Sequence, residues 1–244
     1  MTKAKGQAAE TICVTGAAGT VGAYVVDEAL RAGHRVIAVD RPGVRWDRAS
    51  DPRVEMREGD LTDLSFCVDA VAGATRVIHT AATIDLAQPY EVQKRINVDA
   101  VRWLYEAGRA GGVRRFVHFS SGSIVQKTSP LDETTPVDPM SPYEQTKADA
   151  ERYLLARPRS GPEVVIIRPT MIYGPRARYL GAKLAMIPPM LALLFSKIPI
   201  LRGTPRCNWA HAEDVGRAAV FLALEPRAAW EINSVADDGP LEFG

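Results

Sequence analysis

Two groups of residues in this sequence have the types and spacing to do chemistry. The first is Tyr143 and Lys147. Four positions apart, they share one face of any helix that carries them. A phenol titrates near pH 10 and is a poor base at neutrality. A neighbouring ammonium favours the phenolate and brings the phenol into a useful range. A tyrosine so placed can take the proton of a hydroxyl, or return one to a carbonyl oxygen. The second group is Gly16, Gly19 and Gly22, spaced G-x-x-G-x-x-G within TGAAGTVG at 15–22. The first glycine permits a tight turn, the second lets backbone N–H groups approach a pyrophosphate, and the third lets a helix pack closely on a strand. The helix N-terminus then faces the phosphates with its positive end. Neither pattern is specific alone, since turns collect glycine and a Y-x-x-x-K pair arises by chance.

The elements that must hold these residues supply the context. Thr-Ile-Cys-Val-Thr at 11–15 reads as a strand ended by Gly16, and a helix pattern runs from about Val21 to Arg31, stopped by Gly33. Arg35–Val39 is a second strand with Asp40 at its end. Further strands are expected at Val54–Met56, Arg76–His79, Phe116–Phe119 and Val164–Ile167, with helices at about Pro89–Ala110 and Pro142–Ala156. Strands alternating with helices of this length predict a parallel sheet with right-handed crossovers. The expected fold is therefore α/β, a Rossmann-type doubly wound parallel sheet with a small C-terminal substrate lobe. Residues 1–170 would form the dinucleotide-binding domain and 171–244 the lobe, which would be either minimal or an incomplete part of a larger one. A helix at Ala212–Leu224 and a strand at Glu231–Val235 would return to the sheet. The glycine turn follows a strand and opens a helix, as a dinucleotide site requires. Asp40 can accept hydrogen bonds from an adenosine ribose and repels a 2′-phosphate, which favours NAD over NADP. Arg41 pulls the other way, and the alternative for Asp40 is a turn residue before Pro42-Gly43.

Composition narrows the classes. The 244 residues are 46% hydrophobic and 24% charged, which excludes a wholly disordered or collagen-like chain. Thirty basic against 29 acidic residues leave a net charge of +1, with no bulk attraction to nucleic acid. The three cysteines, Cys13, Cys67 and Cys207, make neither a disulfide framework nor a zinc site. They fit a reducing, cytoplasmic setting and no metal. The N-terminal MTKAKGQAAE lacks the apolar stretch of a signal peptide and reads as a short mobile tail. Leu184–Leu201 is apolar but holds Pro188, Pro189, Pro199 and Lys197. A spanning helix wants roughly 20 unbroken apolar residues. The run is instead expected to be a pocket wall or a patch for peripheral membrane contact.

With these residues go further motifs in order: GDL at 59–61, HTAA at 79–82, Asn97, SSGSIV at 120–125, SPYEQTK at 141–147, RPTMIYGP at 168–175 and HAEDV at 211–215. From Thr11 to about Val235 the chain resembles the extended short-chain dehydrogenase/reductase family. The resemblance implies that Ser121, Tyr143 and Lys147 are the catalytic trio. Tyr143 would remove the alcohol proton while hydride leaves its carbon, Lys147 would also hold the ribose hydroxyls, and Ser121 would orient the reacting oxygen. Asp60 and Leu61 would flank the adenine, Ala81 and Ala82 would line the path beneath the nicotinamide, and Asn97 would hold the nicotinamide side. Ala18, Thr20, Val21, Arg41, Thr80 and Pro169 complete the implied cofactor contacts. Gly122, Ser123 and Met171 would join Ser121 and Tyr143 against the substrate. The helices at 89–110 and 142–156 would pair two subunits in a homodimer.

Where sugar-nucleotide dehydratases of the family carry an Asp-Glu pair, this chain has Gly122 and Ser123. Val125 and Gln126 stand where the family often has Tyr-Gly, and the chain stops at Gly244 where members usually continue. RPTMIYGP and the apolar 184–201 run look most like the 3β-hydroxysteroid dehydrogenase branch. Met171 stands where the sugar-nucleotide branch commonly has an Asn for the diphosphate, and a thioether cannot replace an amide donor. The expected function is thus NAD(P)-dependent interconversion of a secondary alcohol and a ketone on a small apolar, sterol-like substrate. The alternatives are a nucleotide-sugar epimerase and a non-catalytic dinucleotide sensor. Among other residues, His79 is expected to have a structural or backbone-positioning role, His118 to point to one sheet face, and Tyr153 with Arg157 to form an ordinary surface pair. His211 and Asp214 are expected at a helix start, with a proton shuttle as the alternative for His211, and Arg176 and Arg178 as solvated loop charges, the alternative being contact with an anionic group on the substrate.

Overall fold

The strands are short runs rich in β-branched residues, which suits central positions in a sheet covered on both faces. In the computed structural model, which describes residues 8–85, 87–126, 132–177 and 208–238, these runs form one seven-stranded sheet. The first half holds β1 (Thr11–Thr15), α1 (Gly22–Arg31), β2 (Arg35–Asp40), β3 (Val54–Glu58), α2 (Leu64–Val71) and β4 (Arg76–His79). Then come α3 (Tyr90–Lys94), a π-helical turn (Arg95–Asp99), α4 (Ala100–Ala110), β5 (Arg115–Phe119), α5 (Pro142–Leu155) and β6 (Glu163–Pro169). The chain continues with β7 (Met171–Tyr173), β8 (Trp209–His211), α6 (Ala212–Leu224) and β9 (Ile232–Val235). The strand order is β3-β2-β1-β4-β5-β6-β9, every pair parallel. The order reverses direction between β1 and β4, and the carboxyl ends of those strands border the crevice where such sheets bind ligands. A separate parallel pair, β7 with β8, stands beside the sheet.

Alternation along each strand divides the core in two. Ile12, Val14, Ile78, Val117 and Val165 face one layer, with Val25, Ala29, Val215 and Ala219 of α1 and α6. Cys13, Val77, Phe116 and Ile166 face the other, with Cys67, Leu104 and Leu154 of α2, α4 and α5. Gly216 lets α6 approach α1, since a Cβ there would lie 2.8 Å from the Cβ of Tyr24. Burial pushes the thiols of Cys13 and Cys67 up to about 12, so both act as packing.

Two expectations change here. The helix foreseen over 89–110 is interrupted by the π-helical turn, which re-aims Asn97 into the protein; one extra residue per turn does this without breaking the axis. The polar N-terminal stretch ends in an anchor. Glu10 is buried, accepts from Thr75 Oγ1 at 2.6 Å, and pairs with Arg76 and Arg114. Leu184–Leu201, Arg178 and Cys207 lie outside the described residues. Among the described residues no helix is long and apolar enough to cross a membrane, and no group of three or more His, Cys, Asp or Glu is placed to hold a metal.

Candidate functional site

The glycine turn is shaped by close approach. Gly16 has φ +68°, and a Cβ there would meet the backbone of Ala81 at 2.9 Å. A Cβ on Gly22 would lie 2.1 Å from the Gly16 carbonyl oxygen. The turn closes through Gly19 N–H to Gly16 O at 2.8 Å. Thr80 Oγ1 donates to Thr15 O at 2.7 Å and so ties the end of β4 to β1. Val21, at the α1 N-cap, offers no side-chain acceptor, and the first turn of α1 has no acidic residue. Ala23 N–H donates to Gly19 O at 3.3 Å and Tyr24 N–H to Val21 O at 2.9 Å, and with no acidic side chain in the first turn the positive end of the helix is left for an anion. Asp40 closes the second strand: its Oδ2 accepts from Ala18 N–H at 2.9 Å and its Oδ1 from Arg41 N–H at 2.8 Å. A carboxylate has about four acceptor sites, so capacity for ribose hydroxyls is kept. Asp60 accepts from Thr62 N–H at 2.8 Å, Leu61 is buried beside it, and Ala81 and Ala82 are half-buried.

The second half of the site is built on α5. Ser141 caps that helix by accepting from Glu144 N–H at 3.2 Å, and Glu144 Oε2 accepts from Met140 N–H at 2.7 Å. Pro142 takes the first helical position, where no N–H is needed. The cap places Tyr143, half-buried, on the first turn. One turn later Lys147 is 3% exposed and donates from Nζ to Phe119 O at 2.7 Å. Burial pushes this ammonium down to about 8, so it stays charged at neutral pH. Ser121 follows the end of β5 by two residues; its Oγ accepts from Ser123 N–H at 3.2 Å and lies 2.9 Å from Ser123 Oγ. Gly122 lies under Pro169, whose carbonyl a Cβ would meet at 3.1 Å.

Asn97 joins the two halves. Its Oδ1 accepts from Thr83 N–H at 2.9 Å, and its Nδ2 donates to Thr83 O and to Thr146 Oγ1, both at 3.0 Å. Thr146 Oγ1 in turn donates to Tyr143 O at 2.7 Å. The loop after β4 and the first turn of α5 are thus held by one amide. Behind them Glu151, one turn past Lys147, forms a bidentate pair with Arg168, each only 3% exposed.

The structure gathers Gly16, Gly19, Gly22, Asp40, Thr80 and Ala81 at the ends of β1, β2 and β4. It sets Ser121, Tyr143, Lys147 and Asn97 at the adjoining ends of β5 and α5. Thr20 turns away and donates from Oγ1 to Arg176 O at 3.0 Å. Met171 is 48% exposed on β7. Arg176 is a tether and not a solvated charge: it pairs with Asp47 at 3.0 Å and lies 4.9 Å over the Tyr24 ring, because the turn after β7 folds back onto α1. Tyr153 and Arg157 are likewise no simple surface pair. Tyr153 is half-buried, donates to Glu106 at 2.8 Å and meets Tyr105 edge-on, which locks α4 to α5. His211 caps α6, and Asp214 in its first turn pairs with Arg217 at 2.7 Å. Thr83, Thr146 and the Glu151–Arg168 pair went unforeseen. The i, i+4 spacing of Lys147 and Glu151 was visible, but nothing local marked the partner on β6.

Residues 12–235 match the profile of the NAD dependent epimerase/dehydratase family, and the chain belongs to it. The chain is 38% identical over 177 residues to a 3 beta-hydroxysteroid dehydrogenase/Delta 5→4-isomerase of Mycobacterium tuberculosis, covering 67% of this chain and 47% of that protein. It is 34% identical over 176 residues to a UDP-glucose 4-epimerase of Mycolicibacterium smegmatis, covering 67% and 56%. The chain thus spans about half the length of these curated relatives. Among solved structures, a DesIV double mutant, a dTDP-glucose 4,6-dehydratase from Streptomyces venezuelae with NAD bound, aligns with TM-score 0.78 and 25% identity over 96% of this chain and 77% of that one.

Proposed function

We propose that this chain is an NAD-dependent oxidoreductase that interconverts a secondary alcohol and a ketone on an apolar, sterol-like substrate. The observation that carries this reading is the placing of Tyr143 and a charged, buried Lys147 on one helix face beside the end of β5, next to a glycine turn that only a backbone without Cβ atoms can form. The residues fit NAD. Gly16, Gly19 and Gly22 leave room for a pyrophosphate, the uncapped N-terminus of α1 favours its charge, and Asp40 offers acceptors to the adenosine ribose. Bound NAD supplies the hydride acceptor or, reduced, the donor. Tyr143 takes the hydroxyl proton of the alcohol on its phenolate oxygen, or returns it to the ketone. Lys147, fixed by Phe119 O, offsets the phenolate charge and reaches the ribose. Ser121 donates to the reacting oxygen and fixes its direction.

The apolar substrate rests on Met171, a flexible thioether wall, and on the likeness to the hydroxysteroid dehydrogenase. Assembly as a homodimer through α4 and α5, in a cytoplasmic setting, belongs to the same reading. The test is nicotinamide absorbance on mixing the full chain and NAD with sterols, long-chain hydroxy compounds and UDP-sugars. Oxidation of an apolar alcohol that is abolished in Tyr143→Phe, with cofactor binding retained, is the expected result. A second reading, a nucleotide-sugar epimerase, is favoured by the likeness to the UDP-glucose 4-epimerase. Micromolar UDP-sugar binding, with no oxidation of any apolar alcohol, would replace the first reading by the second.

A further inference from the structure

Across the middle of the sheet runs a polar row where apolar side chains would be expected. Thr15, His79 and His118 occupy register-matched positions on β1, β4 and β5. Alternation from Cys13, Val77 and Phe116 turns all three toward the α4 and α5 layer. Ser120, two residues past His118, continues the β5 ladder through its N–H to Ile167 O and faces the same way. All four residues are at most 4% exposed. The two imidazoles stack with centres 5.7 Å apart and planes 16° from parallel.

One short contact frames the choice of tautomer. Thr15 Oγ1 accepts from Ala81 N–H at 3.4 Å and lies 2.7 Å from His79 Nδ1. We assign the hydroxyl hydrogen to Nδ1, its one acceptor among the described residues, which puts the proton of neutral His79 on Nε2. Burial pushes His79 down to about 3 and His118 well below the ordinary histidine range, with the Lys147 charge adding to both. Both rings are therefore neutral at any ordinary pH. The charged and titratable groups that the neighbouring elements bury in this layer are Lys147, Glu151 and Tyr153 from α5, Arg168 from β6, Tyr105 from α4, Cys67 from α2 and Cys13 from β1. Of these only Lys147 shifts the rings. His79 Nε2, both nitrogens of His118 and Ser120 Oγ have no hydrogen-bond partner among the described residues. Each such buried group costs about 1–3 kcal/mol if left unsatisfied. Polar pockets of this kind hold ordered water, typically with about three bonds.

We propose that His79, His118 and Ser120 enclose an ordered-water site beneath Lys147, and that His118, acting through this water, is a positioning residue for the Lys147 ammonium. One water has two acceptor and two donor positions, and four of the groups around it can fill them. The water accepts from His79 Nε2–H and from one N–H of Lys147, and donates to the acceptor nitrogen of His118 and to Ser120 Oγ. Phe119 O holds a second N–H of Lys147, which leaves the third for the ribose. This inference rests on the reading of Lys147 as part of the catalytic trio, but the water site is open to a test that does not depend on turnover.

A crystal structure of the full chain, with or without NAD, at a resolution that shows ordered water is expected to place one within hydrogen-bond distance of His79 Nε2, a His118 nitrogen and Lys147 Nζ. Imidazole 15N spectra are expected to show His79 as the Nε2–H form from pH 5 to pH 8. His118→Phe keeps a ring against His79 and removes both nitrogens. It is expected to lower the pH midpoint of NADH binding, read by fluorescence, by about one pH unit, because the water that accepts from the ammonium loses the ring nitrogen that holds it. His118→Gln restores an acceptor and is expected to return the midpoint toward wild type. A dry chamber, a direct contact between ring and Lys147, or an unmoved midpoint in a folded His118→Phe overturns the inference. Failure to bind NADH at all rejects the reading of the cofactor site instead, and the crystal structure still decides the water site.

Discussion

Lys147 carries a positive charge in a place where water is nearly excluded, and the cost is measurable as a dependence of stability on pH. Its folded value lies at about 8 against an ordinary 10.5, with burial as the cause. At 1.36 kcal/mol per pH unit this corresponds to about 3 kcal/mol. Below pH 8 the lysine is protonated in both folded and unfolded chains, and the whole cost is present. Between about 8 and 10.5 the unfolded chain binds more protons than the folded one, so the penalty is relieved as pH rises. Lys147→Met removes the charge and keeps most of the volume. It also strands the Phe119 carbonyl, but that loss is the same at every pH. Cys13 and Cys67, raised to about 12, act in the opposite direction above pH 9 and do so equally in both proteins. The informative quantity is therefore the difference between variant and wild type. Relative to wild type, the variant is expected to lose about 3 kcal/mol of advantage on going from pH 7 to above pH 10.5. At a urea m-value of about 2–3 kcal/mol per molar, this moves the gap between midpoints by about 1 M. A gap constant within about 0.5 kcal/mol across that range would refute the view of Lys147 as a buried cation.

Other outcomes follow from single contacts. Arg168→Met leaves the Glu151 carboxylate buried without its partner and is expected to cost about 3–5 kcal/mol in urea unfolding, most of it recovered in Arg168→Met/Glu151→Leu; a cost under 1 kcal/mol speaks against a buried pair. Asp40→Ala removes the acceptor for Ala18 N–H and the acceptors offered to the ribose. NAD affinity by fluorescence titration is expected to fall roughly tenfold while the NADP to NAD ratio rises; an unchanged ratio removes Asp40 from cofactor choice. Gly22→Ala would set a Cβ 2.1 Å from Gly16 O. NAD affinity is then expected to drop by at least about tenfold with far-UV circular dichroism retained, and normal binding would contradict the shape of the turn.

Much of the frame was legible because its signals are local. The apolar runs of β1, β2 and β4 are bounded by glycines and charges, and their edges fell within a residue of those observed. Strand limits at β3 and β6 fell short by up to two residues at an end, because Arg57, Glu58, Glu163 and Pro169 extend the ladders without extending the apolar pattern. The helix over 89–110 looked continuous because a π-helical turn leaves the spacing of apolar residues nearly intact. Its cause is the Asn97 side chain reaching Thr83 and Thr146, which is a tertiary matter.

By itself the sequence determined the order of strands and helices, the glycine turn and the Tyr143–Lys147 face, since each depends on residues a few positions apart. Only the tertiary structure decided which distant groups satisfy one another. Glu10 found Arg76 and Arg114, Glu151 found Arg168, and Arg176 found Asp47. It also laid His79 against His118 and put Lys147 under the Phe119 carbonyl. A charge or an imidazole carries no sign of its partner along the chain. Parallel pairing brings together strands whose connections run through whole helices, and burial then sets the charge each group can hold.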